Sequence, residues 1–238
     1  MKWQIVDTEV ASAEENMRID EELLQGLSKG SPCILRFYRW SSPSATYGYF
    51  LNPLKHVKGE MIEDKNSFKS ITQDFHLARR PTGGGMLFHL WDMTFSILIP
   101  ADHPSYSVNT LENYAFVNQM VLKSIESFSS GLKPYLLKED CLNQKECFPD
   151  FCMAKPILND VMIEGLKVSG GAQRRTRNGF LHQGTISILK PDADFLFLLL
   201  PGVIMESILN NSFFLINHSE GYDQTLLKIK KEMMNQVI

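Results

Sequence analysis

Residues 159–189, NDVMIEGLKVSGGAQRRTRNGFLHQGTISIL, limit the fold more than any other part of the chain. Strand-forming runs alternate with two turn signals, Glu164-Gly165 and Asn178-Gly179. Strands joined by such short turns lie antiparallel and side by side, so this segment predicts two or three neighbouring strands. Elsewhere strands and helices interleave. KWQIVDT (2–8), PCILRFYRW (32–40) and MTFSILIP (93–100) read as strands, and KPYLLKE (133–139) as an extended piece. Residues 12–30 read as a helix, with Ser12 and Glu15 as a capping box, Met17, Leu23, Leu24 and Leu27 as its apolar face, and Gly30 as its end. Residues 108–129 give the clearest helix, 53–65 a weak one, 192–200 a buried one and 223–236 an amphipathic one, while 141–158 form a long loop. The fold class is α+β: a mixed, largely antiparallel sheet flanked by helices, in a single domain over residues 1–238.

Composition removes several classes of function. With 44% hydrophobic and 21% charged residues the chain can build an ordinary globular core. A net charge of −3 gives no electrostatic footprint for nucleic acid. The longest apolar run, FLFLLLPGVIM (195–205), is too short to span a bilayer and is interrupted by Pro201 and Gly202. Lys2 and Trp3 lead into an alternating segment and not into a signal peptide, so the expected location is cytoplasmic, with no membrane partner. Cys33, Cys141, Cys147 and Cys152 form no CxxC pair and have no histidine at zinc-finger spacing, so no metal site is expected.

Chemistry concentrates at two glycine clusters. In RRPTGGGMLFH, Gly83, Gly84 and Gly85 permit unusual backbone angles and close approach of another molecule. Arg79 and Arg80 bring charge to the same place, and are expected to hold an anionic or acidic partner outside. Taken alone, the loop is also consistent with a flexible turn bearing solvated arginines. The second cluster, Gly170-Gly171, follows Lys167 and precedes a His-Gln-Gly segment. A lysine between Leu166 and Val168 is ordinarily a solvated strand residue; here it is a catalytic candidate for a tight pocket, where it can hydrogen-bond a substrate carbonyl or, with its pKa lowered, carry a proton.

RRPTGGGMLFH, KVSGGAQRRT and LHQGTI, with ENMRIDE and LRFYRW…YGYF, together resemble the lipoate–protein ligase and octanoyltransferase family, in order from about residue 14 to about residue 190. The resemblance implies the biotin/lipoate ligase catalytic-domain fold, with the glycine loop and the Lys167 strand walling a tunnel for an eight-carbon acyl chain. Arg79, Arg80, Gly83, Gly84, Gly85, His89, Gly170, Gly171 and His182 would bind the acyl group or an adenylate, the two histidines as structural or positioning groups. Lys167 would contact the acyl carbonyl. The implied acceptors are the lysines of lipoyl domains of 2-oxoacid dehydrogenases or of the glycine-cleavage H protein. An apolar tunnel suits such a tail, because each buried CH₂ contributes roughly 0.8 kcal/mol.

The family runs two chemistries. Cys152, fifteen residues before Lys167 and four before Pro156, resembles the C-x-x-x-P…K spacing of one transferase branch, in which that cysteine is the nucleophile. Cys147, in ECFPDF, is the rival. WDMTFS also resembles the transferase pattern, and residues 191–238 form at most two helices, too little for the accessory domain of a ligase. Against this, Gly85 stands where transferases often carry Arg, and three glycines are common in ligases. As a transferase the protein would take its acyl group from acyl carrier protein or another octanoyl or lipoyl donor, by a ping-pong route through Cys152, with no cofactor. As a ligase it would need ATP and Mg²⁺. A non-catalytic lipoyl-domain-binding module is a third reading. Arg174, Arg175 and Arg177 crowd a hairpin turn and are candidates for docking the acidic partner proteins.

Overall fold

The computed structural model describes residues 2–53, 75–139, 148 and 150–237, so Cys141, Cys147 and nearly all of the weak helix at 53–65 lie outside the described residues. In chain order the elements are β1 (Trp3–Ala11), α1 (Ala13–Gln25), β2 (Cys33–Trp40), β3 (Ser44–Tyr47), β4 (His76–Arg79), β5 (Leu87–His89), β6 (Asp92–Pro100), α2 (Thr110–Phe128), β7 (Tyr135–Leu136), β8 (Val161–Ile163), β9 (Leu166–Thr176), β10 (Gly179–Ser187), α3 (Ala193–Leu199), α4 (Gly202–Asn211) and α5 (Tyr222–Asn235). A seven-stranded sheet runs β1-β2-β6-β10-β9-β8-β7, with only the β1–β2 pair parallel. A three-stranded sheet runs β4-β3-β5, and the glycine loop connects two of its strands. This is the mixed, largely antiparallel sheet flanked by helices that the sequence predicts.

The period of two along β6 divides the molecule. Met93, Phe95, Ile97 and Ile99 enter the main core with Val117, Val121 and Ile125 of α2 and Ile229 and Met233 of α5. Full burial of side chains of this size contributes about 1.5–3 kcal/mol each. The opposite face of β6 presents Ser96, bonded to Asp20 of α1, and Leu98, packed with Leu24 and Leu27. The candidate site forms on this more polar face.

Local signals explain most element ends. Ser12 Oγ accepts the Glu15 N–H at 3.2 Å, but the Glu15 carboxylate turns to Arg18, so only half of the capping box forms. α1 stops at Gln25, earlier than Gly30 predicts, and Gly30 turns the chain at φ +82°. Glu164 (φ +52°) and Gly165 (φ +81°) make the β8–β9 turn as expected. The β9–β10 turn lies one residue earlier than expected: Gly179 already pairs with Thr176, which leaves Arg177 and Asn178 as the turn. Glycine is needed at 179 for another reason, since a Cβ there would lie 2.2 Å from the Ile99 carbonyl oxygen. The run FLFLLLPGVIM is not one buried helix. Phe197, Leu198 and Val203 are exposed, and Pro201 begins α4 as well as ending α3, because a helix start does not need the N–H that proline lacks. Among the described residues no helix is long and apolar enough to cross a membrane.

Candidate active site

Lys167 lies beside the core residue Val168 on β9 and therefore projects from the opposite face. Only 3% of it is exposed. Its Nζ donates to Asp160 Oδ2 at 2.7 Å and to the Cys152 carbonyl oxygen at 2.8 Å. Asp160 Oδ2 also accepts the Ile157 N–H at 2.8 Å. Removing one partner of a buried ion pair costs about 3–5 kcal/mol, so the ammonium is a fixed cation and not a swinging arm. Gly170 makes this possible: a Cβ there would come within 2.5 Å of Lys167 Cε and 2.7 Å of Asp160 Oδ1.

The glycine loop is organised from within by Arg80. Its Nη1 donates to the Thr46 carbonyl (3.0 Å) and hydroxyl (2.8 Å), and its Nη2 to the carbonyls of Gly83 (3.1 Å) and Gly85 (2.7 Å). The same Nη2 lies 4.0 Å from Cys152 Sγ. Arg80 is thus buried and does not face outward to hold a partner; five rigid donors suit it to gather loop oxygens. Arg79 is the exposed member of the pair and lies over the Tyr49 ring at 4.6 Å. The three glycines are unequal. Gly84 has φ +87°, whereas a Cβ on Gly83 would meet nothing within 4 Å. At Gly85 a Cβ would lie 2.4 Å from the Asp150 carbonyl oxygen, because residues 150–152 run alongside the loop. Met86 N–H donates to the Asp150 carbonyl (2.6 Å), and Cys152 N–H to the Met86 carbonyl (2.9 Å).

A buried polar chain fixes the loop to the rest of the fold. Thr82 Oγ1 donates to Gln183 Oε1 (2.7 Å), and Gln183 Nε2 donates to Asp20 Oδ2 (2.7 Å). Asp20 pairs with Arg36 at 2.7 Å, both fully buried, and Arg36 also reaches the Asn16 side chain (2.8 Å). His89 bridges Thr46 and Asp92, 2.8 Å to each, and stacks on Trp40 with ring centres 4.0 Å apart. Burial pushes the Asp92 carboxyl up, but the His89 charge and hydrogen bonds from His89, Thr185 and Thr94 outweigh it and hold the group below the usual carboxylate range.

One cavity of about 220 Å³, with a largely apolar lining, collects these groups. Arg80, Gly84, Gly85, His89, Cys152, Lys167, Gly170 and Gly171 line it, together with Met17, Trp40, Leu87, Tyr114 and Met153. Arg79, Gly83, His182, Arg174, Arg175 and Arg177 do not. His182 falls on the far face because Gln183 takes the cavity face of β10 and neighbours on a strand point oppositely. It stacks with Phe95, and burial pushes its imidazole down to about 3, so the ring is neutral. Gly171 leaves room for it, since a Cβ would lie 2.2 Å from His182 Nε2. The three docking arginines do not form one patch. Arg174 reaches Glu21, the Pro81 carbonyl and the Tyr49 ring, Arg175 bonds the Val108 carbonyl, and Arg177 sits at the turn.

Asp160, Thr82, Gln183 and Asp20 are the participants that the motif reading passed over. Asp20, Thr82 and Gln183 lie within ENMRIDE, RRPTGGGMLFH and LHQGTI, whereas the signal for Asp160 is the Glu164-Gly165 turn, which folds position 160 back towards 167–170.

A cysteine and a clamped lysine thus lie between two glycine clusters on a largely apolar cavity. The chain belongs to the lipoyl protein ligase A/B catalytic domain family, whose model matches residues 12–202. It is 30% identical over 200 residues to octanoyltransferase LipM of Bacillus subtilis (strain 168), a match covering 82% of this chain and 68% of that one. Identity to octanoyltransferase LipM of Halalkalibacterium halodurans is 30%, with the same coverage. Among solved structures, the bi-partite lipoate protein ligase of Thermoplasma acidophilum, described with its E2 lipoyl domain, is similar at a TM-score of 0.70 and 22% identity, over 99% of this chain and 84% of that one. Lipoate-protein ligase A bound with ATP gives 0.68 and 21%, over 99% and 86%.

Proposed function

We propose that the protein attaches an octanoyl or lipoyl group to the acceptor lysine of a lipoyl domain, taking the group from an acyl thioester through Cys152. The observation that carries this reading is the bond from Lys167 Nζ to the carbonyl of Cys152 itself, which sets cation and sulfur at one cavity. The Cys152 thiolate attacks the thioester carbonyl, a new thioester forms, and the donor leaves as its thiolate. The acceptor amine then attacks the acyl-enzyme, an amide forms, the thiolate is released and the amine's proton passes to solvent. Of the three Lys167 N–H donors, Asp160 and the Cys152 carbonyl take two, leaving one for the acyl oxygen. The apolar lining accepts the tail. This chemistry uses no ATP and suits a cytoplasmic enzyme fed by acyl carrier protein.

Gly85 needs no ligase to explain it. The approach of Asp150 leaves no space for a Cβ, so the third glycine is explained by packing. The similarity to octanoyltransferases at 30% identity supports the transferase branch.

Intact-mass analysis after incubation with octanoyl carrier protein tests this. The expected result is a hydroxylamine-labile octanoyl adduct on Cys152 that passes to an apo lipoyl domain. Acceptor modification only with ATP and free lipoate, undiminished by Cys152→Ala, would establish the ligase instead. No modification under either condition would leave a binding module.

A further inference from the structure

The cavity has a continuation. Alternate residues of a strand share a face and stand about 7 Å apart. On β10, Gln183 and Thr185 line the acyl cavity, while Thr185 and Ser187 line a second, apolar pocket of about 50 Å³. The neighbouring strand β6 repeats the progression. Thr94, opposite Thr185, faces the first space, and Asp92, opposite Ser187, faces the second. Leu196 of α3 and Ile208 of α4 also line the second pocket.

Three residues line both spaces: Leu87, Met153 and Thr185. Leu87 is held in β5, and the Thr185 hydroxyl donates to Asp92. Of the three, Met153 alone belongs to no strand or helix. It follows Cys152 in a turn, is partly buried, and packs against the cluster that contains Phe151, Ile204 and Ile208. An unbranched thioether side chain with three rotatable bonds is the type most easily displaced from such a position.

We propose that the second pocket is a subsite for the distal methylenes of acyl chains longer than octanoyl, and that the Met153 side chain closes it and so sets the accepted length. This rests on the reading of the larger cavity as the acyl site.

The test is the pair of dissociation constants for octanoate and decanoate, measured by titration calorimetry on the full chain. The carboxylate stands in for the acyl carbonyl. Each further buried methylene strengthens binding about fourfold, so two give about fifteenfold. Met153→Ala is expected to shift the decanoate-to-octanoate affinity ratio by about this factor in favour of decanoate. Adding Ile208→Phe, which fills the second pocket, is expected to return the ratio to that of the unchanged protein. A ratio unmoved by Met153→Ala, or a gain that survives Ile208→Phe, overturns the proposal. Misfolded protein drops out of both titrations, so a partly folded variant still reports the ratio. Binding of neither acid to the unchanged protein overturns the subsite and the acyl cavity together. The expected ratio shift without an octanoyl adduct on Cys152 supports the subsite and refutes only the thioester route.

Discussion

Gly170→Ala places a methyl group where the end of Lys167 now lies. The added carbon would stand 2.5 Å from Lys167 Cε and 2.7 Å from its Nζ, against a comfortable separation of about 3.5–4.0 Å. The ammonium must therefore retreat by about 1 Å or more from Asp160 and the Cys152 carbonyl. The pressure falls on the end of a long side chain and on one carboxylate oxygen, so the sheet itself survives. Lost charge-assisted hydrogen bonds, offset in part by hydration in the cavity, cost about 1–3 kcal/mol. For a chain of this size that lowers Tm by roughly 2–12 °C. Misplacing a catalytic group by about 1 Å costs about 10²-fold in rate. The assay is the rate of octanoyl adduct formation on Cys152 by intact mass, with a thermal melt on the same samples. Gly83→Ala is the control, since its new carbon meets nothing within 4 Å and should change neither quantity. A Gly170→Ala protein that melts a few degrees lower yet acylates at the unchanged rate would refute the view that the placement of Lys167 is what matters.

Three further outcomes follow from the site. Arg80→Lys replaces a fork that gathers oxygens from Thr46, Gly83 and Gly85 with a single ammonium; a loss of about 3 kcal/mol in urea unfolding is expected, with slower acylation of Cys152. His182 is neutral when folded, its imidazole pushed down to about 3, but takes up a proton near pH 6.5 when unfolded. The folded state therefore loses stability as pH falls from about 6.5 towards 3, by up to about 1.4 kcal/mol per pH unit. Urea midpoints across this range should fall less steeply in His182→Gln than in the unchanged protein. Reversing Arg79 and Arg174, which flank Tyr49 beside the glycine loop, should raise KM for an acidic lipoyl domain and weaken its salt dependence, read from acceptor mass gain at several salt concentrations; unchanged values would remove this surface from docking.

The sequence shows the parts of this site whose cause is local. Turn residues, alternating strands and the order of the glycine motifs single out Lys167, Gly170 and Gly84, and all three line one cavity. It does not reveal which face of β10 meets the core, and that choice decides between His182 and Gln183; the choice depends on Phe95 of another strand. Arg79 and Arg80 look alike in sequence, but β4 ends between them, and only the second turns inward. Asp160 has no motif of its own. Its meeting with Lys167 depends on a hairpin and on a register shift between Val161 and Met162.

Residues 85–86 and 150–152 are stitched by two backbone hydrogen bonds through Met86, and a side chain at 85 would strike Asp150. The sulfur therefore travels with the glycine loop as one body, and neither can be retuned alone. Any lineage that enlarges position 85 has to re-route the cysteine-bearing turn in the same step. Across relatives these two stretches, some sixty-five residues apart, should be inherited as a matched set, and a chimera joining one parent's loop to another's turn should misplace the cysteine.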